Sequence, residues 1–376
     1  MALLVAAPLI SCGPGNPLYN GGSPAAGGGG GGGTGGSGGG GGANVAALIS
    51  GGQPSALQTP TNAAALYDGQ SNNISATGSM VDPRSYFTLT LLSDGTVLAA
   101  GGNTAAAATT AEIFSPTSGI FQQINNMNCG HLYHTAIMLQ IGAVLVAGGS
   151  SSKCAEIYDP SSGAWLLVGG MTAVRFGGTA TQLSSGLVLF TGGNDASSGG
   201  TTTGSAEIFN PATALFTATG NMLLPRVFHT ASLLSSGSVL IAGGENGTLI
   251  SASAELFNST TGTFTATGNM TIPRQGHTAT VLQNGSVLIA GGQTSTGGTN
   301  SAEIYNPTTG TFAITGSMAV ARVNGAAVLL PSGDVLVVGG NGSNTQCEIY
   351  NPASGQFSTA GNFSPAGIGV AAVSLQ

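Results

Sequence analysis

The chain has 376 residues, of which 41% are apolar and only 5% charged, with a formal net charge of -7. Charged residues usually make up about 25% of a globular chain, so most of this surface must be built from small polar residues. With six Lys and Arg in all, there is no basic patch to neutralise phosphates, which excludes nucleic acid as an expected partner.

In chain order, the first element is an apolar run at 2–10, ALLVAAPLI, too short to span a bilayer. It ends in Leu9-Ile10-Ser11-Cys12, which resembles the lipobox of bacterial lipoproteins, where a peptidase cuts before a Cys that then carries lipid. The resemblance implies a signal peptide at 1–12, lipidation of Cys12, and an exported chain anchored at a bacterial membrane or cell surface through the lipid alone. The Lys or Arg that such a signal carries near its start is missing here. An ordinary secretory signal with a chance Cys, or a cytosolic chain with an apolar start, therefore remain as alternatives. Residues 13–43, nearly all Gly from 21 to 42, have no side chains with which to build a core and read as a flexible tether.

From 44 to 376 the sequence repeats. PRVFHTASLLSSGSVLIAGG at 225–244 returns 48 residues later as PRQGHTATVLQNGSVLIAGG at 273–292. A Gly-Gly pair closes an apolar run seven times, beginning at Gly51, Gly101, Gly148, Gly192, Gly243, Gly291 and Gly339, at intervals of 44 to 51 residues. Each pair is followed by AEIY or a relative, a turn such as NPTTG, and a strand such as TFTATG. Asn or Asp opening the turn, Pro next and Gly near its end is hairpin chemistry. Four short strands per period are the signature of a propeller blade. Gly-Gly after the second strand, Glu-Ile-Tyr opening the third and Met-x-x-x-Arg before the first are similar to kelch repeats, over roughly 44–376. The resemblance implies an all-β, seven-bladed β-propeller of four-stranded kelch-type blades, and leaves function to be argued from a site. The Trp that many kelch repeats carry in the fourth strand occurs only as Trp165. The N-terminal part supplies a second, third and fourth strand, and a lone first strand ends the chain at 369–375, so the last blade is expected to close from three N-terminal strands and one C-terminal strand.

Five of the six cations fall at one position, four residues after a Met: Arg84, Arg175, Arg226, Arg274 and Arg322. His131 fills it in the second blade. Six of the seven Glu open third strands: Glu112, Glu156, Glu207, Glu255, Glu303 and Glu348. The seventh blade lacks both partners, having Gly367 and Ala65. Joint loss fits pairing within a blade, so buried structural pairs are expected for Arg84 with Glu112, Arg175 with Glu207, Arg226 with Glu255, Arg274 with Glu303 and Arg322 with Glu348. A ring of Arg recruiting an anionic ligand is the alternative.

His134, His229 and His277 share a position three residues further on, in separate blades. They are expected to be hydrogen-bonded near the inner strands, since a metal needs ligands converging at about 2.0–2.1 Å. HLYH at 131–134 is an incomplete ligand set. An oxidase of the galactose oxidase type, also borne on a seven-bladed kelch-like propeller, needs His and Tyr around copper with a Tyr and Cys cross-link, and no such arrangement is visible. No metal and no cofactor are expected. Cys129 and Cys154 approach the same face of the second blade; whether they are bridged stays open, with Cys347 left over.

The connections between second and third strands vary in length, whereas the hairpin turns are short and uniform. Recognition on a rigid scaffold usually sits on variable loops. Asp195, Glu245 and Asn246, in the loops at 194–205 and 245–252, are therefore expected to form a polar binding rim over the channel mouth. No catalytic set rises above the repeat pattern. The expected function is a noncatalytic cell-surface binding or scaffolding module for a protein or glycan. A kelch-scaffold enzyme, whether copper oxidase or sugar-modifying, and a structural envelope or adhesive protein are the alternatives.

Overall fold

In a computed structural model of the chain, the described residues are 45–55, 58–104, 108–149, 153–195, 200–340, 345–364 and 367–375. Cys12, the apolar start and the Gly-rich segment lie outside them. All regular structure among the described residues is strand.

Blade five shows how the sequence makes its sheet. Thr278–Val281, Val287–Ala290, Ala302–Asn306 and Thr311–Ile314 pair antiparallel in chain order. The second strand, VLIA, is buried throughout, because both of its faces meet neighbouring blades. A continuous apolar run is what such a position requires. The fourth strand, TFAI, is exposed except at the half-buried Phe312. Apolar content thus falls from the second strand outward.

Seven four-stranded sheets form the ring. The seventh joins Val45–Ser50, Ala64–Asp68 and Asn73–Ala76 to Ala371–Ser374, with Leu48 opposite Val373 and Ile49 opposite Ala372. The ring closes as the repeat count implied, and the two ends of the body are held in one sheet. The core is correspondingly divided into wedges between blades: Leu183 and Leu189 of blade three, for example, pack with Val239, Ile241 and Phe257 of blade four.

The missing Trp residues are replaced functionally. In six blades an aromatic of the third strand faces one of the fourth directly across the ladder, as in Phe257 with Phe264 and Tyr158 with Trp165. Ring centroids lie 4.8 and 4.9 Å apart in these two pairs, with the rings tilted by 48° and 42°, within the separation at which aromatic pairs attract. Phe supplies the contact where Trp is absent.

The Gly-Gly corner has a specific cause. At Gly243 a Cβ would stand 2.5 Å from the carbonyl oxygen of Arg274 in the next blade. The following Gly244 donates its N–H to that same oxygen at 2.9 Å. In six blades the second Gly makes this bond to the residue at the Arg position of the next blade, so the corner docks blade to blade, and only a residue without Cβ lets the backbones approach.

Candidate binding face

The Arg-bearing segments and the starts of the third strands meet on one face. Arg226 Nε lies 3.0 Å from Glu255 Oε1 with both side chains buried. Its other nitrogens donate to the carbonyl oxygens of Gly243 and Ser253 and to Ser253 Oγ. Glu255 Oε2 accepts the Leu223 N–H at 2.7 Å. The same clasp recurs for Arg84 with Glu112, Arg175 with Glu207, Arg274 with Glu303 and Arg322 with Glu348, at 2.6 to 2.9 Å. Every Arg thus ties the start of one strand to two others within its own blade. With guanidinium and carboxylate spent on each other and on backbone groups, no Arg is left aimed at an anionic ligand.

In blade two His131 replaces Arg, with Nε2 3.1 Å from Glu156 Oε1 and Nδ1 2.9 Å from the Gly148 carbonyl oxygen. Beside it Cys129 and Cys154 are joined as a disulfide, Cα to Cα 6.5 Å, which resolves the pairing the sequence left open. Burial would raise the Glu156 pKa, but hydrogen bonds from His131, Asn128 and Cys129 outweigh it and hold the carboxyl below its ordinary value. Cys347 is buried and unbridged, its thiol pushed up to about 11 by burial.

The shared histidines lie between blades. His134 Nε2 is 3.1 Å from Thr88 Oγ1, His229 Nε2 3.1 Å from Thr179 Oγ1, and His277 Nε2 3.0 Å from Thr230 Oγ1, in each case reaching the preceding blade. Only half of the expected satisfaction is realised, since Nδ1 of all three has no partner. Burial, followed by the charge of nearby Arg226 and Arg175, drives the His229 pKa down to about 3. Burial likewise holds His134 and His277 well below the ordinary value.

The structure also reveals a feature that the sequence reading missed. Two residues after the Arg position, all seven blades place a residue with positive φ: Tyr86, Tyr133, Gly177, Phe228, Gly276, Asn324 and Gly369, at 53° to 66°. These residues link blade to blade, Phe228 N–H to Gly177, Gly276 N–H to Phe228, Asn324 N–H to Gly276, Gly369 N–H to Asn324 and Tyr86 N–H to Gly369, at 2.9 to 3.0 Å. Tyr86, Tyr133 and Phe228 are buried in one apolar cluster with Phe176, and Tyr86 stacks on Tyr133 at 4.2 Å. The signal was present: four of the seven positions hold Gly or Asn, the residues that tolerate the left-handed region.

This backbone ring and its aromatic plug stand at the clasp-face end of the channel. A cavity of about 930 Å³ runs from Tyr86, Tyr133 and Asn324 to Gln140, Gln283 and Pro331, which lie at the exposed turns of the opposite face. The cavity thus reaches the hairpin-turn face, and the variable loops stand at its other end, around the plug residues.

Those loops have their own structure. In blades three, four and five they form small two-stranded hairpins, Asn194–Asp195 with Thr201–Thr202, Glu245–Asn246 with Leu249–Ile250, and Gln293–Thr294 with Gly297–Gly298. Each is rooted by a bridge to the plug-bearing segment of its own blade: Phe176 with Asn194, Val227 with Glu245, Gln275 with Gln293. Asn246 is exposed, while Asp195 and Glu245 are half-buried. Burial raises the Glu245 pKa against the lowering effect of a hydrogen bond with Gln275. The three residues expected to form the rim thus stand on neighbouring hairpins of one face, with Glu245 more enclosed than a surface loop implies.

Residues 273–319 match the Kelch motif. That stretch carries blade five with its Arg274 and Glu303, and the same marks recur around the ring. No curated protein matches the chain by sequence. Among solved structures, a fungal alcohol oxidase of the AA5 family, in complex with copper, is similar with a TM-score of 0.66 at 18% identity, over 80% of this chain and 70% of that one. At that identity the likeness shows the propeller fold alone.

Among the described residues, the one group of three or more His, Cys, Asp and Glu side chains whose ligating atoms converge is Cys129, His131, Cys154 and Glu156. His134, His229 and His277 are outside it, each engaged with a Thr of the preceding blade.

Proposed function

We propose that this chain is a noncatalytic binding or scaffolding module, exported and held at a cell surface through Cys12, that takes a protein or glycan on its clasp face. One observation carries the reading: three adjacent blades raise short hairpins on one face, each rooted by a bridge to its own blade, which makes a fixed relief suited to recognition. Asp195, Glu245 and Asn246 supply carboxylate and amide groups that pair with hydroxyls or N–H donors. Leu249, at the tip opposite Asn246, holds an apolar side chain 72% exposed, available to an apolar patch on a partner. The clasps supply stiffness, so the partner meets a surface that loses little entropy on binding.

The purified full chain, probed on glycan and peptide arrays, tests this. At least one class of ligand is expected to bind, with Asn246→Ala and Leu249→Ser each weakening the strongest hit while leaving the melting temperature unchanged. Binding insensitive to both substitutions places recognition elsewhere, and turnover of alcohols or sugars by the purified chain favours the enzyme reading.

A further inference from the structure

We propose that Cys129, His131, Cys154 and Glu156 form a four-ligand site for a zinc-type divalent ion in the reduced chain, where the oxidised chain carries a disulfide. The argument starts from what the other blades put at these positions. Where blade two has Cys154, blades one, three, four and five have Thr110, Ser205, Ser253 and Ser301, whose hydroxyls accept the second arm of the Arg at 2.7 to 3.0 Å. Where blade two has His131, they have that Arg. Where it has Cys129, they have Asp82, Ala173, Leu224 and Ile272. Blade two thus changes three positions of one clasp together, and each change brings in a metal-ligating side chain while Glu156 is kept.

The geometry fits the exchange. Ligating atoms of the four side chains all lie within 4.8 Å of one another. A tetrahedral zinc site with bonds of about 2.0–2.3 Å has ligand-to-ligand edges of roughly 3.3–3.8 Å, so opening the sulfur–sulfur bond brings the set to that scale without moving a strand. His131 Nδ1 donates to the Gly148 carbonyl oxygen, and in the neutral ring Nε2 then turns a lone pair toward Glu156 Oε1, 3.1 Å away. Two lone pairs face each other there unless a proton or a metal ion lies between them. A backbone carbonyl fixing the far nitrogen of the ring is also the usual outer support of a zinc-bound His. Glu156 is steadied by the amides of Asn128 and Cys129. Two thiolates, a carboxylate and a neutral imidazole around a doubly charged ion leave one net negative charge, and Lys153, the chain's one Lys, precedes Cys154.

The chemistry balances with a phosphine as reductant. The phosphine gives two electrons to the Cys129–Cys154 bond and becomes a phosphine oxide with oxygen from water, whose two protons go to the two sulfurs. Zinc then displaces both thiol protons to solution. The soft thiolates and the imidazole favour zinc over magnesium or calcium.

In the test, the full chain is incubated with zinc ion, oxidised or after phosphine reduction, passed through a desalting column and analysed for metal. About one zinc per chain is expected after reduction and almost none when oxidised. Cobalt ion added to the reduced chain should give the visible bands of a tetrahedral site with a sulfur-to-metal charge-transfer band, a signature that requires no variant. Cys154→Ser, which restores the residue that three other blades hold at this position and so should fold, is expected to weaken retention at least about tenfold, while Cys347→Ala leaves it unchanged. Reduced chain without bound zinc, equal retention by the oxidised chain, or full retention by a folded Cys154→Ser variant each overturns the proposal.

Discussion

Removing one carboxylate from a clasp gives the most informative perturbation of the body. Glu255 is 1% exposed and Arg226 is 2% exposed, so Glu255→Ala leaves a guanidinium in the interior with only neutral acceptors, at Gly243 and Ser253. It also strips the Leu223 N–H of its partner. Breaking one side of a buried pair costs about 3–5 kcal/mol. At roughly 2 °C per kcal/mol for a body of this size, the melting temperature should fall by about 6–10 °C. Glu255→Gln, which keeps an acceptor for Leu223 but loses the charge, should fall between parent and Ala. Circular dichroism melts, with hydrogen exchange to localise the loosening to 223–255, provide the assay. A Glu255→Ala melt within about 2 °C of the parent would refute the reasoning, because a buried cation cannot lose its counter-ion at so little cost.

Three further outcomes are expected. His134, His229 and His277 are held neutral with pKa values below the ordinary one, so the unfolded chain binds more protons as pH falls below about 6.5. Stability is then full above that pH and declines as acid approaches the folded values; for His229, at about 3, the loss by pH 4.5 is roughly 3 kcal/mol. Denaturant unfolding at both ends of that window should show His229→Phe, the residue type of Phe87 at this position, flattening the slope by one proton, and an unchanged slope contradicts it. Deleting 369–376 removes the strand Ala371–Ser374 that closes blade seven, and a truncated chain with an unchanged melt rules out closure as a source of stability. Ala214 holds φ 55° where Gly119, Gly163, Gly262, Gly310 and Gly355 hold 66° to 69°. The left-handed penalty of about 1–2 kcal/mol is partly offset by glycine's chain entropy, so Ala214→Gly should raise stability by about 0.5–1 kcal/mol. A urea midpoint that does not move upward contradicts it.

Much of the fold was legible because a propeller repeats its physics. Gly-Gly marks where the next blade's backbone must come close, and the Arg and Glu positions reveal a within-blade pair through their joint loss at Gly367 and Ala65. The lone strand at the C-terminus announces closure. The plug was less visible. Tyr86, Tyr133 and Phe228 carry no left-handed preference of their own, and only alignment with Gly177, Gly276, Asn324 and Gly369 exposes the shared conformation. The hairpins of blades three to five were likewise hidden, since NDASSGGTTTGS and QTSTGGTN lack the alternation that marks a strand. Bridging of Cys129 with Cys154 could not be read because the intervening second strand gives no distance; the structure supplies it.

Hairpin exchange tests the binding account most directly. Residues 194–205 and 245–252 are shortened to the length of the blade-two loop, and affinity for the strongest array ligand is measured by titration calorimetry against the parent chain. The account requires the folded variant to lose at least about tenfold in affinity, roughly 1.4 kcal/mol, with the clasps and the melting temperature intact. Full affinity in a folded variant would contradict it and move recognition to the open cavity or the outer strands.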